Sequence, residues 1–291
     1  MNANTSPLRR GVVVPATAAA AVLAVLIAVT SCRGGASSIP AVEVPAGIDH
    51  TEWNRLLHAY VDDRGLVDYA RWKASEPDRA ALRGYLAKFS QAATPPARKT
   101  EKGASLANAY NAFTIAWILE NYPVESIQDT RDPFKAKRQR IGGQDVSLDD
   151  LENGTLRKDV GFLVHSALVC AARSCPPLAR DAYRGDRFVS QISYAMLRWL
   201  ARDDLNHFDL AERRADISPI FRWYREDFEK EKGGLRGVLS IYSPDTFRSF
   251  VTEESCRIRY KDYDWGLNDK GPHGRQYRRG FWYRMKERLS L

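Results

Sequence analysis

The chain contains 291 residues, of which 44% are hydrophobic and 27% charged, a composition typical of a soluble globular protein with one large or two small domains. Its net charge is +8 at pH 7, but the 44 Lys and Arg residues are interspersed with 36 Asp and Glu residues. Because no long basic block precedes the C-terminal tail, the charge does not indicate nucleic-acid binding, and we expect no nucleic-acid partner.

The N-terminal region has the pattern of an export signal. Two arginines precede an almost entirely apolar stretch over residues 11–30, which is the organisation of a secretory signal. The stretch ends in Val-Thr-Ser-Cys, which resembles the lipobox of bacterial lipoproteins and predicts a signal peptide over residues 1–31 with acylation of Cys32. Residue 33 is Arg rather than Asp, which in the lipoprotein pattern argues against retention in the inner membrane. The alternatives are an uncleaved anchor helix, since about 20 apolar residues can span a bilayer, and simple secretion.

These observations predict an exported protein anchored in the outer membrane or cell envelope, with membrane lipid as its partner through acylated Cys32. Residues 32–50 are rich in Gly, Ser, Ala and Pro, which is typical of a flexible tether. We find no second linker and no internal repeat, and therefore expect a single globular domain over residues 51–268. A basic, aromatic tail over residues 269–291 is either solvated or a surface helix near anionic phospholipid.

A capping box of Ser147 and Asp150 predicts a helix that carries Leu148, Leu151 and Leu156. Four further amphipathic helices are predicted in chain order, each from apolar residues at helical spacing. The first begins near Thr51, the second near Pro77, the third near residue 186 and the fourth after Ser218. Short strands are predicted at residues 66–69 and 256–262. The apolar faces of the helices are Trp53, Leu56, Leu57 and Tyr60; Leu82, Tyr85, Leu86 and Phe89; Phe188, Ile192, Ala195, Met196 and Trp199; and Ile220, Phe221, Tyr224 and Phe228.

A further segment, residues 104–122, differs because apolar residues lie on all sides of the helix axis, as in a central buried helix. Asn108 and Asn111 lie on one face of it, and buried amides need partners, so we expect them to tie neighbouring loops together. The predicted fold class is α+β and helix-rich, with this central helix packed against a small, mainly antiparallel sheet. A papain- or transglutaminase-like arrangement is one option.

The most reactive side chains fall in one stretch, residues 162–178. It begins as a continuous apolar run typical of a buried strand and breaks at an arginine and a Pro-Pro pair. It contains His165, Cys170 and Cys175, which are one of five His and two of four Cys in the chain. If Cys32 carries lipid, three thiols remain, and an odd number leaves at least one unpaired in an oxidising compartment.

Five motifs occur in order along the domain. They are Asn108-Ala-Tyr-Asn111-Ala, Ser147-Leu-Asp-Asp-Leu-Glu-Asn-Gly-Thr-Leu-Arg157, His165 through Cys170-Ala-Ala-Arg-Ser-Cys175-Pro-Pro-Leu, Ser218-Pro-Ile-Phe-Arg-Trp-Tyr-Arg-Glu-Asp-Phe228, and Tyr263-Asp-Trp-Gly-Leu-Asn268. Together they resemble the domain of unknown function 547 family, found in bacterial envelope proteins and plant proteins. The resemblance covers most of residues 53–268 and implies no particular activity. The chain departs from the family at two places: Ser105-Leu106 replace the usual aromatics, and Asn153 replaces a usual His, so any chemistry of that His is impaired here.

A thiol-hydrolase dyad is one interpretation of the stretch. A thiolate nucleophile needs a base within about 3 Å and usually a third group that orients this base. Residues five apart point to opposite faces of a strand and lie about 140° apart on a helix, so neither element pairs His165 with Cys170. Cys175 lies beyond the break, which makes it the predicted nucleophile with His165 as base, although papain-like enzymes have the opposite chain order. The side chains that could orient His165 are Asn111, Asp264 and Asn268.

The alternative is a Cys170–Cys175 disulfide that closes a short loop, with His165 as a buried core residue and Cys256 as the odd thiol. A third reading is a metal site of His165, Cys170 and Cys175, with His207 as a further ligand. However, the spacing is not that of a usual zinc knuckle, and we predict no metal. We also predict no cofactor, because the chain has no phosphate loop and no dinucleotide fingerprint.

Two functions therefore remain open. The first is a non-catalytic binding or scaffold lipoprotein that recognises an envelope protein or peptide. The second is a membrane-anchored thiol-dependent hydrolase of peptide or amide bonds in the cell envelope, with Cys175, His165 and Asn111 as its catalytic residues.

Overall fold

The computed structural model describes residues 41–275 and residue 277, which include nine α-helices and five short strands. The signal peptide, Cys32 and most of the basic tail lie outside the described residues and stay predictions. The helices are α1 Thr51–Tyr60, α2 Tyr69–Ala74, α3 Glu76–Ala87, α4 Lys99–Asn121, α5 Arg157–Val160, α6 Phe188–Leu200, α7 Ile220–Trp223, α8 Arg225–Glu229 and α9 Gly234–Tyr242. The strands are β1 Gln139–Ile141, β2 Gln144–Val146, β3 His207–Asp209, β4 Arg214–Ile217 and β5 Arg257–Tyr260. Short 3₁₀ segments and one π-helix, Asp150–Leu156, connect them.

The domain begins earlier in the chain than the sequence predicted. Residues 41–50, assigned to the tether, lie against the domain, with Val42 1% and Val44 0% exposed. The Val42 amide donates to Thr155 Oγ1 at 2.8 Å, and the Val44 carbonyl accepts from the Ala97 amide. The tether prediction is therefore wrong for residues 41–50, because alternating valines find a buried partner that composition alone does not reveal.

Helices α1 to α3 form a layer, and the apolar faces of α1 and α3 are those predicted. Helix α2 was not predicted, since Tyr69, assigned to a strand at 66–69, is its first residue. The buried residues of α1 are Trp53, Leu56, Leu57 and Tyr60. Aromatic stacking joins the helices, with ring centroids 4.6 Å apart for Tyr60 and Trp72 and 5.8 Å apart for Trp53 and Tyr85. Offset aromatic pairs of this kind add to the free energy gained from burial.

Helix α4 is the central buried helix of the predicted fold, and its buried residues lie all round the axis. It contacts α2, α3, α5 and α6 and the π-helix. Asn108 accepts from the Tyr183 amide and donates to the Tyr183 carbonyl, while Asn111 accepts from the Val169 amide and donates to the Ala167 carbonyl. The two amides therefore fix loops that pass over α4.

The strands form two small sheets. Strands β1 and β2 pair antiparallel across Gly142-Gly143, which both have positive φ as a two-residue turn requires. In the second sheet β3 and β4 are antiparallel, whereas β4 and β5 are parallel. The helix-rich α+β prediction is confirmed, and the papain- or transglutaminase-like arrangement stays a prediction.

The hydrophobic core consists of two clusters. One surrounds α1 to α4, and the other joins the C-terminal half of α6 to α7, α8, α9 and the β3–β4–β5 sheet. Leu163 and Tyr263 pack against both clusters. Among residues 41–275 and 277, no helix is long and apolar enough to cross a membrane.

The domain also continues beyond its predicted end. Asp269 is buried, and the Lys270 amide donates to the Val67 carbonyl at 2.9 Å. The first residues assigned to the tail therefore complete the domain surface near Val67, where an isolated bridge joins Val67 to Asp269.

Candidate functional site

The stretch that carries the reactive residues is not a strand. Its first part, Phe162–Ser166, is a 3₁₀ helix that follows Gly161, whose φ is 78°. The amides of Ala167 and Leu168 both donate to the Val164 carbonyl, so the backbone bonds are local rather than to a sheet. The strand prediction is wrong because a short buried apolar run is compatible with several backbone conformations.

Beyond this helix the chain turns tightly between Cys170 and Cys175. Ala171 has φ of 61°, a conformation rare for a residue other than Gly and often found at functional sites. The segment 264–268 holds the turn in place. The hydrogen bonds that do so run from Arg173 N to Gly266 O at 2.8 Å, from Ser174 N to Asp264 O at 3.1 Å, and from Asn268 N to Ala171 O at 2.9 Å.

The turn places two sulfur atoms next to each other. Cys170 Sγ and Cys175 Sγ are 2.7 Å apart, and both are free thiols in the structure, which therefore does not contain the predicted disulfide. The Cys170 amide donates to Cys175 Sγ at 3.2 Å. The Tyr263 hydroxyl lies 3.2 Å from Cys175 Sγ and 3.4 Å from Cys170 Sγ.

These contacts affect the two thiols in opposite directions. Burial disfavours the Cys175 thiolate, but hydrogen bonds from the Cys170 thiol, the Tyr263 hydroxyl and backbone amides outweigh it and lower the pKa of Cys175. The hydrogen bond to Cys175, together with burial, raises the pKa of Cys170 well above its ordinary value. Of the two sulfurs, Cys175 is therefore the one that loses its proton more readily, because hydrogen bonds to an ionised group favour it.

Both thiols face a cavity of about 490 Å³ at the junction of the two core clusters. One wall is aromatic, with the ring of Tyr263 4.8 Å from Trp223 and 4.7 Å from Trp265. The lining residues are Tyr110, Phe134, Lys135, Asp149, Glu152, Asn153, His165, Leu168, Cys170, Cys175, Ile220, Trp223, Tyr224, Tyr263 and Trp265. His165, Cys170 and Cys175 all line this cavity because the chain curls, so the argument from strand or helix geometry does not apply to this stretch.

His165 is held by a carboxylate that the sequence analysis did not identify. His165 Nε2 donates to Asp227 Oδ2 at 2.8 Å, and Arg157 Nε donates to the same oxygen at 2.6 Å. These hydrogen bonds, that of His165 first, outweigh burial and hold the pKa of Asp227 well below its ordinary value. The His165 ring also stacks on Tyr224 at 4.1 Å between centroids. Within the described part of the chain, no hydrogen bond joins the His165 ring to either sulfur.

The π-helix also contributes to the cavity lining, and such elements occur often at functional sites. Its Glu152 accepts from the Tyr110 hydroxyl at 3.1 Å. Asn153, which stands where the family usually has His, donates to Asp149 at 2.7 Å and accepts from Arg157 at 2.7 Å. Asn153 thus connects the π-helix to the arginine that binds Asp227.

The three side chains predicted to orient His165 lie elsewhere. Asn111 bonds the backbone of Ala167 and Val169. Asn268 Oδ1 accepts from the Tyr69 hydroxyl at 2.9 Å, and Asp264 Oδ1 accepts from the Gly266 amide at 2.8 Å. Among the described residues, Asp227 takes the position next to the imidazole that these groups were expected to fill.

The residues of the alternative metal site are not assembled. His207 lies on β3, where its Nδ1 donates to Asp203. Over residues 41–275 and 277, no group of three or more His, Cys, Asp or Glu side chains is arranged to hold a metal ion.

A family model described as "Protein of unknown function, DUF547" matches residues 96–200. The match runs from the start of α4 to the end of α6 and supports the resemblance over that part of the chain. It includes Glu152, His165, Cys170 and Cys175, and ends before Asp227 and Tyr263. Neither a curated protein nor a solved structure matches the chain.

Proposed function

We propose that this protein is an exported lipoprotein whose domain binds a peptide or protein of the cell envelope in the aromatic cavity. The lipid anchor rests on the charged and apolar N-terminal pattern and on Val-Thr-Ser-Cys ending at Cys32. The binding role rests on the cavity, because concave sites of several hundred Å³ with apolar walls and a few polar groups are typical of ligand sites.

The anchor is tested by replacing the acylated residue. Cys32→Ser prevents thioether formation, so we expect the variant to leave the membrane fraction and to lose the mass of the lipid from its N-terminal peptide. Fractionation followed by mass spectrometry measures both effects, with Cys256→Ser as the matched control. Membrane association that is unchanged in Cys32→Ser, with no lipid on the wild-type peptide, contradicts the anchor.

The lining of the cavity indicates the class of ligand. The aromatic wall of Trp223, Tyr263 and Trp265 suits an apolar or aromatic side chain. Glu152 and Asn153, which also line the cavity, offer oxygen and amide groups to a peptide backbone. A peptide with an aromatic side chain uses both kinds of lining group.

Trp223 gives the sharpest test of binding, because it is 37% exposed and its loss removes aromatic surface without opening the core. With capped dipeptides that contain Phe or Trp as probes, we expect Trp223→Ala to weaken binding about tenfold, equal to about 1.4 kcal/mol. Calorimetric titration measures the affinity, and bound probe should slow alkylation of Cys175 in wild-type protein.

The matched control is Tyr194→Ala, since Tyr194 is 63% exposed on α6 and does not line the cavity. Equal affinities for Trp223→Ala and wild type, or alkylation of Cys175 that is indifferent to bound probe, rule out this cavity as the binding site.

A thiol-dependent hydrolase of peptide or amide bonds is the second candidate. The observation in its favour is that Cys175 shares the cavity with the His165–Asp227 pair. Such an enzyme needs His165 to exchange a proton with Cys175 or with water, and the pair supplies an oriented imidazole for that step. Cleavage of the probes that is lost in both Cys175→Ser and His165→Ala supports this candidate, whereas uncleaved probes favour binding alone.

A further inference from the structure

We propose that Cys170 and Cys175 form a redox-active dithiol, which reduces disulfides that enter the cavity by thiol–disulfide exchange. This activity uses the same cavity as the proposed function but requires neither a peptide ligand nor hydrolysis. A dithiol of this kind differs from a structural disulfide because the thiol and disulfide states interconvert while the fold is retained.

The two sulfur atoms are placed for bond formation. They lie 2.7 Å apart without a bond between them, and a disulfide needs a separation of about 2.0 Å. Only small rotations of the two side chains are needed to form the bond. Both sulfurs also line the open cavity, so a small disulfide can approach them.

The turn is held by contacts other than a disulfide. The turn between the cysteines is fixed by backbone hydrogen bonds from Arg173 and Ser174 to the segment 264–268, and by Asn111, which binds the Val169 amide. A turn held in this way keeps the sulfurs adjacent in the thiol state. The two cysteines are therefore preorganised for thiol–disulfide exchange, and the fold does not need a disulfide between them.

The two thiols also differ in how readily they lose a proton. Cys175 Sγ receives hydrogen bonds from the Cys170 amide and from the Tyr263 hydroxyl, which favour its thiolate. Cys170 keeps its proton until it is needed, since burial and its neighbour raise its pKa. The nucleophile is therefore Cys175, and Cys170 is the residue that resolves the mixed disulfide.

The exchange has two steps. In the first, the Cys175 thiolate attacks one sulfur of the incoming disulfide. A bond forms between Cys175 Sγ and that sulfur while the S–S bond of the incoming disulfide breaks. The other half of the incoming disulfide leaves as a thiolate, which water protonates. In the second, Cys170 gives its proton to water and attacks Cys175 Sγ, which releases the second thiolate. The dithiol is oxidised by two electrons and the incoming disulfide is reduced by two.

Cystamine, a small symmetric disulfide, tests these steps on the reduced full chain in detergent. After an acid quench, the remaining thiols are alkylated and the chain is digested with trypsin. Trypsin cuts after Arg173, so a Cys170–Cys175 disulfide joins two peptides that a reductant separates. Mapping by peptide keeps Cys32 and Cys256 out of the readout.

We expect wild-type protein to yield the joined peptides, and mild treatment with dithiothreitol to reverse this without unfolding. Cys170→Ser should stop after the first step and retain cysteamine on Cys175 in most chains. Cys175→Ser should take up cysteamine on Cys170 about tenfold more slowly than Cys170→Ser does on Cys175, because burial still disfavours the Cys170 thiolate.

The contrary results are equally specific. Separate cysteamine adducts on both cysteines of the wild type, with no joined peptides, overturn the proposal. The proposal is also overturned if dithiothreitol reduces the Cys170–Cys175 bond only in the presence of denaturant, because such a bond is a structural disulfide. Neither result bears on whether the cavity binds a peptide, which the Trp223→Ala titration measures separately.

Discussion

Asp227→Ala is expected to lower the free energy of unfolding by about 3 kcal/mol, because it removes the shared acceptor of a buried ion pair. Asp227 is 6% exposed, and its Oδ2 accepts from Arg157 and His165. Without the carboxylate, the guanidinium and the imidazole lose a hydrogen-bonded partner in a place that water reaches poorly. Urea unfolding followed by circular dichroism measures the difference.

The matched control is Asp63→Ala. The Asp63 side chain is 89% exposed and pairs with Arg180, so we expect a loss of about 0.5 kcal/mol or less. If the two substitutions lower the free energy of unfolding equally, the Arg157–Asp227–His165 group does not stabilise this part of the cavity.

The contribution of Asp227 should also depend on pH. Its pKa in the folded protein lies below its value of about 3.9 in the unfolded chain. The stabilisation is therefore complete above the unfolded value and is lost as pH falls through the folded value. We expect the difference between wild type and Asp227→Ala to be constant from about pH 7 to 5 and to shrink as pH falls below about 4. A difference that grows on acidification contradicts this assignment.

Tyr263→Phe is expected to slow alkylation of Cys175 about tenfold at neutral pH, since it removes one hydrogen bond to the thiolate. A hydrogen bond to a charged group contributes about 1.5 to 3 kcal/mol, which corresponds to a pKa rise of about one to two units. In wild-type protein, the pH–rate profile should have its midpoint below the ordinary cysteine pKa of about 8.5. In the variant, this midpoint should move upward.

Tyr194→Phe is the control for this experiment, because Tyr194 is exposed and does not line the cavity. Its profile should overlay that of the wild type. A Tyr263→Phe profile that also overlays the wild type excludes the hydroxyl as a donor to Cys175, and the low pKa then needs another cause.

Helical periodicity predicted most of the fold. The apolar faces of α1 and α6, and the all-round burial of α4, follow from the spacing of residues such as Trp53, Phe188 and Phe113, because a helix repeats every 3.6 residues. Patterns within one element are local, so the sequence displays them directly. The roles of Asn108 and Asn111 as ties between loops follow from the same pattern.

The candidate site could be predicted only in part, because its contacts join distant parts of the chain. Asp227 is 62 positions from His165, and Tyr263 is 88 positions from Cys175, so no spacing rule connects them. A signal was nevertheless present, since Asp227, Tyr263 and Glu152 each lie in one of the five ordered motifs. The packing of Val42 and Val44 was missed for a similar reason, because it depends on Thr155 and Ala97.

The proposals require Cys175 to be a reactive thiol that lines the cavity and has a lowered pKa. Competition for limiting iodoacetamide tests this requirement most directly, with the reduced full chain at neutral pH and tryptic mapping of the labelled cysteines. Both cysteines are buried, but Cys175 lines the cavity and Cys256 lies in the second core cluster, where burial raises its pKa. We predict that Cys175 is labelled first and that Cys256 is labelled only after unfolding in urea. Labelling of Cys256 before Cys175, or a Cys175 that stays unlabelled until the protein unfolds, contradicts this requirement.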